Sequence, residues 1–212
     1  MLLRAQLTTL VSPQICWHPS LNNNKSPIMK TIKILALAAM SITVFGCATA
    51  SKPENMVVAP SAAAKTYDPA LQQSILVATI SGGKKTNPAW TSQVDDTSFK
   101  SALEASLKAR KLLAEGPGKY TLTVKLLELK QPLMGIDMTV SSKAQYTLKE
   151  AAKDKVIYDK TVDVSYTAKM SDSMVGVTRL RLANEGSIKA NMAQFLDELA
   201  ALKLSGVSLT GY

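Results

Sequence analysis

Cysteine and histidine are the residue types that most restrict the chemistry available to this chain. Its 212 residues include two cysteines, Cys16 and Cys47, and a single histidine, His18. Thiolates and imidazoles supply many of the nucleophiles, general bases and metal ligands of proteins. If processing removes everything before Cys47, one cysteine and no histidine remain. Such a product has no internal disulfide, no Cys/His metal site and no nucleophile activated by a histidine base.

The residues just before Cys47 follow the pattern of a secretory signal. Residues 29–33 form a short segment with two lysines, and residues 34–45 are twelve consecutive residues without a charge. Twelve helical residues span about 18 Å, well short of the roughly 30 Å hydrocarbon core of a bilayer. The pattern therefore favours a cleaved signal over a membrane-spanning helix.

The end of this signal, Val44-Phe45-Gly46-Cys47, resembles the lipobox of bacterial lipoproteins, although Phe45 is bulkier than the usual residue there. The resemblance implies cleavage between Gly46 and Cys47, a diacylglyceryl thioether on Cys47 and acylation of the new amine. Each buried methylene contributes about 0.8 kcal/mol, so two or three chains hold a protein almost irreversibly. By the sorting rule of such lipoproteins, Ala48 after the cysteine implies the outer membrane, facing the periplasm. The alternative is an ordinary secretory signal with an incidental cysteine.

Composition divides the chain into a targeting region, a connecting segment and one domain. Small residues and three prolines after Cys47 favour a tether over a packed core. Residues 1–28 are interpreted as an upstream extension from a mis-assigned start, with a genuine long n-region as the alternative. The predicted division is signal peptide 29–46, lipid anchor and flexible tether 47–70, a single domain 71–204 and a C-terminal tail 205–212.

The charges and polar motifs argue against several partners. Four of the 25 basic residues and none of the 16 acidic ones precede Cys47, so the rest carries a net charge of +5. That charge forms no basic run and does not indicate nucleic-acid binding. The turn at residues 81–86 departs from a phosphate-binding loop, because Lys85 separates Lys84 from Thr86. We therefore predict no nucleotide, no metal and no cofactor other than a covalent lipid at Cys47.

Hydrophobic periodicity predicts two helices and four strands. The strands are expected at 74–80, 120–130, 138–149 and 156–167, and the helices at 98–114 and 178–202. The order β-α-β-β-β-α with short connections predicts an α+β two-layer sandwich. Its sheet of about four strands is expected to be largely antiparallel, with both helices on one face. Leu127 and Leu129 favour cover on the second face of their strand, and Gly186 favours close packing or a kink in the last helix.

Six residues form the predicted partner-contact set. Most of them lie in or just after the loop at residues 169–177, where an apolar segment flanked by arginines could contact lipid or protein. The alternative is that this loop plugs one end of the sheet. The set is Trp90, Met170, Met174, Val175, Arg179 and Arg181.

The domain behind the anchor resembles small periplasm-facing accessory lipoproteins. These include the lipoprotein subunit of the outer-membrane lipopolysaccharide translocon and auxiliary lipoproteins of lipid-transport ABC systems. Segments 82–90, 131–140 and 179–186 also resemble proteobacterial lipoproteins. The resemblance implies a non-enzymatic outer-membrane lipoprotein, an accessory or binding subunit in envelope assembly or transport, with an envelope protein as partner. The alternatives are a lipid carrier with an apolar groove, or an enzyme of envelope lipid or sugar metabolism with a polar cleft. The oligomeric state stays open.

Overall fold

The computed structural model describes residues 47–60, 65–89 and 91–204. The predicted extension 1–28, signal 29–46 and tail 205–212 lie outside the described residues. A 3-10 turn covers Pro69–Leu71. The other elements are α1 (Pro53–Met56), β1 (Ile75–Ser81), α2 (Asp96–Lys108), β2 (Tyr120–Lys130), β3 (Met138–Glu150), β4 (Lys155–Ala168) and α3 (Gly176–Ala201).

The four strands form one mixed sheet in the order β1-β2-β3-β4. β1 pairs with β2 in parallel, because α2 carries the chain back across the sheet between them. The other two pairs are antiparallel and connected by short loops. The predicted α+β sandwich is therefore confirmed, with a largely antiparallel sheet and one parallel pair at its edge.

The strand β3 shows the expected alternation between a buried and an open face. Its inward side chains fill the core, and its outward hydroxyls pair across to β4, as in Thr139 with Thr167 at 2.8 Å. Leu127 of β2 is 45% exposed, so the prediction of cover on the second sheet face is wrong. The inward residues are Met138, Val140, Ser142, Ala144, Tyr146 and Leu148.

Helix α2 ends six residues before the predicted position. Lys111 adopts a positive φ of 56°, and the Leu112 N–H bonds back to the Leu107 carbonyl at 3.0 Å. This is the Schellman arrangement, which usually places glycine at the position held by Lys111. The lysine hides the helix end from sequence patterns, which instead favour Gly116 as the stop.

Helix α3 packs an apolar stripe against the sheet and is also covered on a second side. Phe195 stacks on Tyr146 with ring centroids 4.2 Å apart and meets Tyr158 edge-on. On the second side, the helix buries the polar residues Asn184 and Glu185. Polar residues on a helix normally indicate a solvent face, so another part of the chain must cover them.

The cover over Glu185 comes from the segment that the sequence predicts to be a flexible tether. Met56 and Leu71 are fully buried in the main core cluster, and Val58 and Tyr67 join them. The guanidinium of Arg110 donates to the Val58 carbonyl at 2.6 Å. The structure differs from the expected tether because scattered apolar residues, without helix or strand periodicity, find places in a core formed by the helices.

Gly186 of α3 lies beneath the ring of Tyr166 on β4. A Cβ atom at position 186 would overlap that ring, so glycine permits the close approach of helix and strand. The close packing expected at Gly186 is confirmed.

We expect Gly186→Ala to lower the free energy of unfolding by about 1–3 kcal/mol, because overpacking must displace the Tyr166 ring. In a Tyr166→Ala background the same change has room and should instead stabilise the helix by about 1 kcal/mol. Urea unfolding of the four proteins measures both effects. Equal destabilisation in the two backgrounds would contradict the overlap.

Candidate functional site

Cys47 lies at the start of a segment that is bonded to the domain from its next residue. The Cys47 thiol is free and exposed. The Ala48 N–H donates to the Pro88 carbonyl at 2.9 Å, and the Ser51 N–H to the Gln93 carbonyl at 3.2 Å. We call residues 48–59 the docked segment. Because Ala48 is bonded to the domain, almost no free chain separates the exposed Cys47 from it.

A buried carboxylate holds the middle of the docked segment against α3. Glu185, 2% exposed, accepts the Lys52 N–H at 2.8 Å and the Asn55 side-chain amide at 2.8 Å. The Arg181 guanidinium lies 3.6 Å from the same carboxylate and donates to the Thr49 hydroxyl at 2.7 Å. Arg181, predicted as a partner contact, is therefore engaged inside the protein in what we call the Glu185 clamp.

Two loops at one end of the sheet expose a group of apolar side chains. The loops are residues 131–137, between β2 and β3, and residues 169–175, between β4 and α3. Leu133 is fully exposed, and Met134 and Met174 are 88% and 76% exposed. The apolar tip comprises Leu133, Met134, Ile136, Met170, Met174 and Val175.

The tip unites three predicted contact residues with three that the prediction missed. Met170, Met174 and Val175 belong to the predicted set, whereas the sequence analysis predicts no contact residue in the loop 131–137. The sequence does contain a signal for a contact surface there, because Leu133, Met134 and Ile136 are apolar residues in a loop and have no role in the core. Trp90 lies outside the described residues.

A buried arginine braces the two loops of the tip against α3. Arg179 is buried and donates to the Ser173 carbonyl at 2.7 Å and to the Gly135 carbonyl at 3.3 Å. The Asp137 carboxylate accepts the Met170 N–H at 3.0 Å. Arg179 therefore positions the tip and does not itself offer a contact. Beneath the loops lies a second core cluster of Met138, Val140, Ala168, Leu180 and Ala183.

The docked segment runs along α3 towards the end of the domain that carries the tip. Lys52 lies at Glu185 and Thr49 lies at Arg181. These helix positions are four residues apart, or about 6 Å along the axis, and the earlier residue lies nearer the helix start at Gly176. The exposed Cys47 and the apolar tip thus occupy the same end of the domain.

A glutamine ties the end of β2 to the long loop between β1 and α2. The Gln131 amide donates to the Ser92 carbonyl and to the Asn184 side chain, both at 2.8 Å. The Asn184 amide donates to the same Ser92 carbonyl at 2.9 Å. This network holds the loop that receives Ala48 in place beside α3.

The comparisons with known proteins find similar backbones. No protein-family model and no curated protein matches the sequence. Protein XCC0632 from Xanthomonas campestris is 14% identical, with 69% of this chain and 95% of that chain covered and a TM-score of 0.49. PelC from Paraburkholderia phytofirmans is 19% identical, covering 66% and 95%, with a TM-score of 0.42. A minor lipoprotein from Acinetobacter baumannii is 14% identical, covering 62% and 93%, with a TM-score of 0.37.

The polar groups elsewhere in the described part serve packing and capping. The Gly83 N–H donates to the Asp96 carboxylate at 2.7 Å, so this glycine turn is bonded within the protein. Burial raises the pKa of the core tyrosine Tyr146 well above its ordinary value. Within residues 47–60, 65–89 and 91–204, no group of three or more His, Cys, Asp or Glu side chains could hold a metal ion. None of the helices described there is long and apolar enough to cross a bilayer.

The space between the sheet and the helices is filled by side chains. Tyr146, Phe99 and Phe195 are fully buried there. A depression of about 540 Å³ lies outside that interface, between the docked segment and α3, and includes Val58 and Tyr166 in its lining. These three aromatic side chains therefore occupy space between the sheet and the helices, where a lipid carrier would need its groove.

Asp95 caps α2 through its carboxylate. Partial burial raises the pKa of this group, but hydrogen bonds from the Ser98 N–H and hydroxyl, at 2.9 and 2.8 Å, outweigh burial and lower the net pKa. The stabilisation from Asp95 is therefore complete above its ordinary pKa of about 3.9 and is lost as the pH falls through the lower folded-state pKa.

We expect Asp95→Ala to lower the free energy of unfolding by about 1 kcal/mol at pH 7, because the helix loses its N-cap. The difference from the wild type should shrink below about pH 4, where the wild-type carboxylate is also lost. Asp95→Asn keeps a cap acceptor, so it should stay near wild-type stability at pH 7 and lack that acid dependence. Urea unfolding at pH 7 and pH 3 tests this, and a pH-independent loss in Asp95→Ala would contradict it.

Proposed function

We propose that this protein is a lipoprotein of the bacterial outer membrane, acylated at Cys47 and facing the periplasm. The observation that carries the proposal is the short distance along the chain between Cys47 and a bond to the domain. The Ala48 N–H, one residue after the proposed acylation site, already donates to the Pro88 carbonyl at 2.9 Å. The chain is thus already bonded to the domain one residue after the cysteine at which the signal pattern places the new N-terminus. The exposed Cys47 thiol is accessible to an acylating enzyme.

We propose a non-enzymatic role, as an accessory or binding subunit that supports another envelope protein. The chemistry of the described residues supports this role, since their buried polar groups hold loops and segments together. Glu185 and Arg179 are examples, because both are engaged with backbone atoms of neighbouring segments. The surfaces left for contact are the apolar tip and the open, hydroxyl-rich face of the sheet.

The intact mass of protein purified from the membranes of its native host tests the anchor. We expect the mass of residues 47–212 plus two or three acyl chains, and loss of this species in Cys47→Ala. Cys16→Ala is the matched control, since it removes the other thiol but lies before the proposed cleavage site and should leave the acylated mass unchanged. An unacylated wild-type protein, or one that still carries residues 1–46, would overturn the proposal.

A further inference from the structure

We infer that the apolar tip inserts into the same bilayer surface that holds the Cys47 acyl chains, so that the domain lies on the membrane in one orientation. The inference rests on the proposed function, since it takes the lipid at Cys47 as given. It adds a second membrane contact and names its ligand, the headgroup and acyl boundary of the bilayer.

The first step is the short reach of the anchor. Residues 48 and 49 are held by the Pro88 carbonyl and the Arg181 guanidinium. Only Cys47 itself is left to span the distance to the lipid, and one residue covers at most about 3.6 Å. The surface around the docked segment must therefore lie against the headgroups rather than stand off from them.

The second step is the position of the tip relative to that surface. The docked segment passes Glu185, and Thr49, two residues from Cys47, bonds to Arg181 near the start of α3. The loops 131–137 and 169–175 meet that same helix start through Arg179. An anchor that brings Cys47 to the bilayer consequently brings the tip to it as well.

The third step is the chemistry of the tip. Its six side chains are aliphatic or thioether groups, and Leu133, Met134, Ile136 and Met174 are each more than 70% exposed. Exposed apolar groups of this kind partition into the boundary between headgroups and acyl chains. The flanking lysines Lys130 and Lys169 are also exposed and can meet lipid phosphates.

The fourth step is the rigidity of the two loops that carry the tip. The nearby carboxylates of Asp137 and Asp172 accept the N–H groups of Met170 and Lys169 at 3.0 and 2.8 Å, so both are engaged within the loops. Arg179 ties the two loops together, and a packed cluster lies below them. The tip is thus held rigidly, so it loses little conformational freedom when it enters lipid.

Site-specific lipid quenching tests the inference in the acylated protein. The thiol of Cys47 is blocked by its thioether and Cys16 precedes the cleavage site, so an introduced cysteine is the only one free for an NBD fluorophore. We would label Met134→Cys and Met174→Cys at the tip. The matched control is Ala152→Cys, which is exposed in the β3–β4 turn at the opposite end of the sheet. Each protein is reconstituted into protein-free phosphatidylethanolamine/phosphatidylglycerol liposomes that contain a spin-labelled lipid.

We expect quenching at positions 134 and 174 that exceeds quenching at 152 several-fold, with a blue-shifted NBD emission at the tip alone. Equal, weak quenching at all three positions in an acylated sample would overturn the inference and leave the lipoprotein proposal intact. Tip labels that are shielded from solvent in native membranes, but are not quenched by the spin-labelled lipid in liposomes, would indicate that a protein covers the tip. This result would also overturn the inference. The intact mass of each sample shows independently whether Cys47 is acylated. An unacylated mass would overturn the proposed function itself.

Discussion

Replacing Asn191 with alanine lowers the free energy of unfolding by about 3–5 kcal/mol, the larger of two strong effects that we expect. Asn191 is fully buried in α3. Its amide donates to the carbonyls of Ser142 on β3 and Val162 on β4, at 2.9 and 3.0 Å. Its carbonyl oxygen accepts the Tyr146 hydroxyl at 2.8 Å. A single side chain thus satisfies three polar groups of the core.

The size of the loss follows from what alanine leaves behind. Each buried polar group without a partner costs about 1–3 kcal/mol, and the shortened side chain adds a small cavity. Two strand carbonyls and one hydroxyl lose their partner together, although relaxation around the site recovers part of the cost. The two carbonyls belong to neighbouring strands, so Asn191 also fixes α3 against both of them.

Two further variants separate the bonds of Asn191. Tyr146→Phe removes only the hydroxyl and should cost about 1 kcal/mol, since Asn191 keeps both strand carbonyls. Asn191→Asp keeps the shape and the acceptor but loses the amide donor, so its loss should lie nearer that of alanine. Equilibrium urea unfolding measures all three. A loss below about 1 kcal/mol for Asn191→Ala would show that water or backbone movement replaces the network.

The strands and the layer order follow from period-2 alternation, which is why sequence analysis predicts them well. In β3 the inward positions from Met138 to Leu148 carry apolar or aromatic residues, except for Ser142. The end of α2 escaped prediction because Lys111 takes a backbone conformation that sequence patterns assign to glycine. A local signal is enough for a strand face, whereas a cap depends on φ and ψ.

The site was harder to predict because its parts are far apart in sequence. Glu185 and Asn191 resemble the solvent face of a helix until a segment more than 100 residues away covers Glu185. Sequence analysis predicts contacts for Arg179 and Arg181 because they flank an apolar loop, yet their partners are backbone and side-chain groups inside the protein. The exposed half of the site, including Met174, was visible because an apolar loop has no local structural role to explain it.

Replacing Glu185 with alanine releases residues 48–55 of the docked segment and costs about 2–4 kcal/mol. The change removes the charged acceptor of two hydrogen bonds, to the Lys52 N–H and the Asn55 amide, and leaves Arg181 without its carboxylate. Hydrogen exchange should therefore accelerate at the amides of Ser51 and Lys52, while the amides of β3 keep their protection. Glu185→Gln, which retains one acceptor oxygen, should show an intermediate effect. Lys52→Ala is the neutral control, because its exposed side chain is not part of the clamp.

A variant of the Glu185 clamp also distinguishes the attachment of the protein to the membrane from the orientation of its domain. Once residues 48–55 are released, with Met56 still buried in the core, eight extended residues can span about 28 Å between Cys47 and the domain. We then expect the acylated Glu185→Ala protein to remain bound to membranes while the NBD label at Met134 loses most of its lipid quenching. If quenching at Met134 persists with the segment released, the tip holds the membrane by its own affinity. In that case the clamp sets the stability of the domain but not its orientation.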